Sequence, residues 1–429
     1  MPSSPRRTVL TGLGLVTPLG ATTATTWDAV RAGNSGIRPL TMFDAASLPV
    51  RIGGEVPGFD IKAFIPKENK DGRKQIKVMA RGIQLAVAAA QNALDDGKVD
   101  KARLDPTRFG IEFGSGLLAT QLEDLAEAGR VSCLPPLWKV DMDRWGAEGL
   151  PLIEPLWMLK YLPNFLASHI SILHNAQGPN NSITQSDVSS FLALGEARRI
   201  LLRGQADFML VGGAESKLNP TSFTRNCLFA SLSRRNDSPA QACRPFDRDR
   251  DGFVIAEGGA VVLVEDLEHA RKRGARILAE LVGFGSAFDV RRDGRGVARA
   301  ARTALETAGV APEAIDHVNA QGLSTIAADR AEARAIRDVF GDRPVPVFAA
   351  KGHLGSMGAG SGVAELGLSL LALAEGAVPA TLNYETPDAE CPVWVNSQPH
   401  AIGKPYFLKL GFNEMGHCAA AVCRRWEGQ

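Results

Sequence analysis

Residues 244–259 read RPFDRDRDGFVIAEGG, and the chain runs on from them into the apolar Ala260–Val264. That continuous run has the pattern of a strand buried on both faces, and Leu267–Gly274 after it reads as a helix. Toward the N-terminus, Phe208–Val211 is predicted as a strand closed by Gly212 and Gly213. Val188–Leu202 is predicted as a helix with Phe191, Leu194, Ala197 and Leu201 on one face. Phe109–Gly114 is a strand expected to stop at a Gly-Ser-Gly turn, Ile83–Leu94 an alanine-rich helix, and Thr8–Leu15 a strand. Toward the C-terminus, helices are expected over Ala298–Ala308, Asp329–Phe340 and Gly362–Glu375. Strands are expected over His317–Ala320, Val347–Ala349, Phe407–Gly411 and Ala419–Val422. The alternation predicts α/β layers around buried sheets. No linker, short-period repeat or charge block divides the chain. Two halves fused through a shared core are expected, 1–265 and 266–429, with the break near Glu265–Arg273.

Composition narrows the function classes. The chain has 429 residues, 48 Lys+Arg against 47 Asp+Glu, and 45% apolar residues. It has ample core, and its net charge of +1 points to no nucleic-acid surface. Six cysteines, at 133, 227, 243, 391, 418 and 423, show no CxxC spacing, and the seven histidines do not cluster with them. No metal site and no disulfide framework is expected, and a reducing, cytoplasmic setting fits. Cys418 and Cys423 read as core thiols. Val9 onward is broken by Thr11, Gly12 and Gly14, so no signal peptide is expected, and no apolar stretch is long enough for a membrane span. The 44 glycines must serve tight turns and close backbone approaches, and Gly12, Gly14, Gly114, Gly212, Gly258 and Gly411 are assigned to turns.

General catalytic motifs fail. Gly12-Leu13-Gly14 lacks the third glycine of a dinucleotide fingerprint, and there is no P-loop, GxSxG elbow or HExxH. Ser132–Leu159 holds Trp138, Trp145 and Trp157 among four prolines. It reads either as a loop capping its own core or as a partner-facing or pocket-lining surface.

The 244–259 stretch, continued by Glu265–Gly274, resembles the signature of the β-ketoacyl-ACP synthases of the KAS II-like type. Val9–Gly20 (VLTGLGLVTPLG) is similar to that family's first strand and turn. Leu162-Pro163-Asn164 with His169-Ile170, Gly178-Pro179-Asn180, Gly212-Gly213-Ala214-Glu215, the Asp329–Gly341 helix and Gly411-Phe412 fit its other motifs. The resemblance runs from about residue 8 to 425. It implies the thiolase fold: two similar α/β halves in a five-layered α-β-α-β-α core, normally dimeric.

The family's ketosynthases hold a cysteine at a helix N-terminus, where N–H groups and the dipole favour the thiolate. Two histidines and a lysine complete the set. Counting forward from Gly178-Pro179, Asp187 stands at the cysteine position. The family's Asn-Ala-His-Gly-Thr-x-Thr reads Asn319-Ala320-Gln321-Gly322-Leu323-Ser324-Thr325, so Gln321 stands at the first histidine. Lys351 is the retained lysine. Ser356, five residues on, stands at the second histidine, in a register that puts Glu365 on the family's glutamate. A small gap would bring in His353 instead. Thr325, Gly411, Phe412 and His353 are the substrate-binding candidates, and Asp329 and Glu332 resemble the family's structural network. His417 is the late histidine near the gate.

Asp187 is expected to cap its helix by accepting backbone N–H bonds. A carboxylate is a poor nucleophile toward a thioester. Gln321 can donate a hydrogen bond but cannot shuttle a proton, and Ser356 lacks a base. With all three positions replaced, the resemblance implies a non-catalytic subunit like the family's chain-length factors. Such a subunit shapes the acyl tunnel of a heterodimer with an active ketosynthase. Chain-length factors carry glutamine where Asp187 stands. Two other expectations remain: a divergent acyltransferase or condensing enzyme using new residues, and a homodimeric scaffold for acyl carrier proteins. In each the phosphopantetheine arm of a carrier protein brings the acyl group, and the chain needs no cofactor of its own.

Overall fold

The buried runs pair into one eleven-stranded mixed sheet that repeats a five-stranded pattern. The first copy runs Thr8–Val16, Gly258–Asp266, Phe208–Glu215, Phe109–Ser115, Asn180–Ile183, paired antiparallel, antiparallel, parallel, parallel. The second runs Ala279–Phe288, His417–Arg425, Tyr406–Phe412, Ile315–Ala320, Pro346–Ala349 with the same senses. Trp394–Val395 adds a further parallel strand at its edge. The copies join where Val9 and Leu10 face Glu280 and Ala279. The computed structural model describes residues 6–136 and 139–428.

The strand Ala279–Phe288 was not expected, because its apolar residues alternate with glycines and polar groups. Yet its sequence carries the repeat that periodicity overlooked. Leu281-Val282-Gly283-Phe284-Gly285 matches Leu10-Thr11-Gly12-Leu13-Gly14. Both strands also shift register at the same place, between Leu10 and Gly12 and between Leu281 and Gly283.

Five layers result. Helices Arg81–Asp96 and Phe165–His174 pack on the outer face of the first copy, and Arg295–Ala308 and Ile326–Phe340 on that of the second. Ser189–Leu202 and Ser361–Glu375 lie between the two, joining Phe191, Leu194, Val363 and Leu366 to strand residues from both copies. The outer helix Arg295–Ala308 is amphipathic, turning Ala298, Ala301, Ala304 and Leu305 inward and its arginines outward. Among the described residues no helix is long and apolar enough to cross a membrane.

The glycines assigned to turns are a correction. Gly12, Gly14, Gly114, Gly212, Gly258 and Gly411 all lie inside strands. What they supply is space. A Cβ on Gly14 would lie 2.0 Å from Ala89 O, one on Gly114 2.2 Å from Ser190 N, and one on Gly213 2.3 Å from Ala359 O. Gly212 and Gly213 therefore do not end their strand, which continues to Glu215.

The Ser132–Leu159 segment folds into a two-residue ladder, Cys133–Leu134 with Lys139–Val140, and short helical turns. Trp138 lies outside the described residues. None of the segment's described residues joins the hydrophobic core clusters. Instead it exposes Met142 at 70% and Leu156 at 64%.

Spacing by glycine makes a sharp expectation. Gly114→Ala should cost about 3 kcal/mol, because backbone faces the new methyl. Gly129→Ala, in the helix Leu122–Ser132 with nothing within 4 Å, should gain about 0.5–1 kcal/mol. Urea unfolding of the two variants checks the pair; equal effects would contradict the spacing argument.

Candidate functional site

Asp187 sits in a tight turn, Ser186–Val188, just ahead of the helix Ser189–Leu202. The Ser189 hydroxyl clasps that turn, accepting from Gln185 N at 2.7 Å and donating to Ser186 O at 2.7 Å. Ser186 takes a left-handed φ of 52° to make it. The Asn413 amide donates to Gln185 O at 2.8 Å, tying the loop after Phe412 to the same turn. The expected N-cap does not form, because the helix start carries no side-chain cap bond. Asp187 turns away from the helix and accepts a hydrogen bond from Ser356 Oγ at 2.8 Å, with Ser186 Oγ at 3.3 Å. Two positions 169 residues apart thus meet as a carboxylate and a hydroxyl.

Gln321 lies just after the strand Ile315–Ala320 and is fully buried. Its backbone N–H and that of Gly322 donate to the Glu332 carboxylate at 2.6 and 2.8 Å. Its side-chain Oε1 and Nε2 have no hydrogen-bond partner among the described residues. Lys351 Nζ donates to Gln321 O at 2.8 Å and pairs with Glu365. The other Glu365 oxygen takes Lys409 Nζ at 2.5 Å. One buried carboxylate therefore bridges two buried ammonium groups. Burial pulls the Lys409 pKa down and Glu365 only partly restores it.

The 244–259 stretch locks onto this site. Arg244 N donates to Ser324 Oγ at 2.8 Å and Phe246 N to Asp329 Oδ2 at 2.8 Å. Arg250 reaches Asp329 at 3.4 Å and Asp388 at 2.8 Å. Burial outweighs these partners and pushes Asp329 up to about 6 and Glu332 up to about 7.

Two clefts meet at Asp187. One, of about 490 Å³, has Val297, Leu323, Thr325, Ala331 and Phe412 on its walls. The other, of about 580 Å³, is lined by Ser356, Lys217, Glu215, Asn226 and Phe253 among others. Thr325 and Phe412 are thus placed at a cleft, and Thr325 also caps the helix Ile326–Phe340. Gly411 and His353 line neither of these two clefts. Gly411 packs against the Phe191 ring, and a Cβ there would lie 2.9 Å from it. The His353 ring faces Asn34 O at 2.9 Å and Ala380 O at 3.1 Å, on the far side of its short helix. Burial lowers its pKa. The His353 ring thus stays away from Asp187, and it is Ser356 that faces that carboxylate. No histidine lines either cleft among the described residues. Cys418 is the cysteine among the described lining residues, and its buried thiol, donating to Gly416 O at 3.4 Å and pushed up to about 12 by burial, stays protonated. His417 packs edge-on against Phe288 instead.

Comparison with known proteins now fixes the family. The description "Beta-ketoacyl synthase, N-terminal domain" matches residues 6–270, and "Beta-ketoacyl synthase, C-terminal domain" matches residues 278–385. The 3-oxoacyl-[acyl-carrier-protein] synthase 2 of Synechocystis sp. is 34% identical over 98% of this chain and 99% of its own length. The chain belongs to the β-ketoacyl synthase family. Among solved structures, the ishigamide ketosynthase/chain length factor aligns with TM-score 0.83 at 28% identity, covering 99% of this chain and 100% of that one. A type II polyketide synthase acyl-carrier protein in complex with its hexaketide-bound ketosynthase aligns equally well, at 27% identity with TM-score 0.83, over 99% and 100%.

Two charged residues of this ketosynthase-family chain escaped the sequence reading. Lys409 interrupts the apolar Phe407-Leu408-Lys409-Leu410, and a lysine inside a buried strand demands an ion pair. Lys217 follows Glu215 by two residues and had no pattern to mark it.

The buried charges set two expectations. Glu365→Gln strands two ammonium groups and should cost about 3–5 kcal/mol, whereas Lys409→Met leaves one matched pair and should cost less. Urea midpoints of both variants test the order. Asp329 and Glu332 hold protons more tightly folded than unfolded. Their contribution is full below about pH 4 and is lost as pH rises through about 6 to 7. Stability of Glu332→Gln should therefore fall less than that of the native chain between about pH 5 and about pH 8. An equal or steeper fall would contradict it.

Proposed function

We propose that this chain is a ketosynthase-family subunit that does not itself condense acyl groups. It pairs with an active ketosynthase and shapes the acyl tunnel of the pair. The observation that carries the reading is the Asp187–Ser356 hydrogen bond. In the family register these are the positions of the nucleophilic cysteine and the second histidine. Decarboxylative condensation needs a thiolate to take the acyl group and imidazole donors to steady the enolate oxygen. Attack by the Asp187 carboxylate on a thioester would give a high-energy anhydride. Its charge also opposes a malonyl carboxylate and the enolate that follows. Gln321 offers a neutral amide that cannot move a proton. One replacement could leave a rearranged mechanism, but three remove the nucleophile and both proton-bearing rings together.

The pairing draws support from two sides. One structural neighbour that aligns along its full length is a ketosynthase/chain length factor. The segment after the strand Phe109–Ser115 exposes Leu117, Leu122, Met142, Leu150, Leu156 and Met158, an apolar surface that marks a protein contact. In this reading the pair works in the cytoplasm. An acyl carrier protein delivers the chain, a role supported by the neighbour in which a carrier protein is in complex with its ketosynthase.

Co-expression with a ketosynthase encoded beside it should give a stable 1:1 complex, and the purified chain alone should form no acyl adduct with acyl carrier protein by mass spectrometry. Asp187→Ala should leave the product of the pair unchanged. A lone homodimer that binds carrier protein would favour the scaffold. Condensation by the chain alone, abolished in Asp187→Ala, would make it an enzyme and overturn the proposal.

A further inference from the structure

The helix Phe165–His174 ends beside the turn Lys101–Arg103, and a cleft of about 250 Å³ opens between them. It shares no residue with the two clefts at Asp187. Leu104, Pro106, Phe109 and Leu173 give it apolar walls. Its polar side chains are Lys101, His174 and Asn175, and no acidic side chain lines it among the described residues. Asp100 and Asp105 cap the turns Lys101–Arg103 and Pro106–Arg108 and line a neighbouring cleft instead.

His174 is buried, yet its ring is only half used. Lys101 Nζ lies 3.3 Å from Nδ1. An ammonium can only donate, so Nδ1 accepts and the ring proton sits on Nε2. Burial, reinforced by the Lys101 charge, pushes the His174 pKa down to about 3, and the ring stays neutral in this tautomer. The Nε2–H then has no acceptor among the described residues. A buried donor without an acceptor is rare in a folded chain and asks for a partner. Asn175 accepts from Gln177 Nε2 at 2.8 Å through Oδ1, which leaves its Nδ2 to donate. The contact with His174 uses one of the three N–H groups of Lys101. The carbonyl end of the helix brings about half a negative charge, which the Lys101 ammonium exceeds.

The cleft therefore combines three donors, one full positive charge and hydrocarbon walls. A cation would meet donors alone. A phosphate would carry more negative charge than one ammonium balances and would leave the apolar walls unused. We propose that this cleft binds a small monocarboxylate with an apolar body, its oxygens accepting from Lys101 Nζ and His174 Nε2. The site stands clear of Asp187, so the proposal does not depend on whether the chain condenses acyl groups.

Calorimetry on the purified chain tests it with benzoate and hexanoate, which put the same charge on a ring and on a chain. At least one should bind about tenfold or more tightly than its neutral counterpart, benzamide or hexanamide. The ratio of the two acids tells whether the body is a ring or a chain. With the histidine ring nitrogens isotopically labelled, the tighter acid should shift the His174 Nε2 resonance, which is assigned by its loss in His174→Phe. Lys101→Met changes an exposed side chain and should keep the melting temperature while weakening that acid about tenfold or more. Binding of neither acid, equal binding of acid and amide, an unmoved His174 resonance or full affinity in Lys101→Met would each overturn the proposal. The last two results would place any acid that binds elsewhere in the chain.

Discussion

Everything at the site depends on how closely two central helices approach the strands beside them. Ser190 at the head of one helix lies against Gly114, and the Ala359 carbonyl before the other lies against Gly213. Gly362 closes the third side, where a Cβ would lie 2.8 Å from the Phe191 side chain. With alanine at these positions each helix would have to stand off its strand. Close packing in a core transmits such a shift, because no void absorbs it. Asp187 precedes one helix and Ser356 the other, so the 2.8 Å bond between them is set by the glycine-spaced contacts behind it. The 244–259 stretch works from the other side, where Arg244, Phe246 and Arg250 fasten the 324–329 turn.

Strands and helices were legible where an apolar run is continuous. Ala260–Val264 and Gly362–Glu375 are apolar runs that only a buried sheet or helix can use, and both lie in such elements. Glycine misled in both directions. It was read as punctuation inside Phe208–Glu215, and it masked Ala279–Phe288 altogether. In both strands the missing side chain faces a neighbouring backbone, a property of the third dimension that carries no period. The LxGxG echo between residues 10 and 281 was the available signal, and it needed comparison across the chain instead of along a window.

At the site, counting from fixed motifs named residues and left their geometry open. Asp187 and Ser356 were named separately, and the structure brings them within 2.8 Å of each other. Counting could not show that the Ser189 hydroxyl already clasps the turn before its helix and leaves Asp187 free to face Ser356. His353 looked available because it is three residues from Ser356. Its short helix points it the other way, into carbonyls that only a buried, turned-back ring could meet. Lys409 and Lys217 were hidden for a related reason, since an ion pair formed between distant segments leaves no mark on either.

Asp187 and Ser356 are physically fitted to one another. A half-buried carboxylate at Asp187 needs a donor opposite, and the Ser356 hydroxyl is one that carries no competing charge. An imidazole in its place would bring its own titration to a position facing the carboxylate. Beneath them, Glu365 with two lysines leaves one positive charge in excess, close to the two carboxyls of Asp329 and Glu332 that burial renders hard to ionise. Such a buried network costs more to break than to keep, and it fixes Gln321 by its backbone alone. The Gln321 amide carries no charge and, among the described residues, meets no hydrogen-bond partner. A rigid scaffold holding a neutral amide and a bonded carboxylate is the physical basis of the proposed role, in which the subunit contributes the wall of a tunnel and not the reaction.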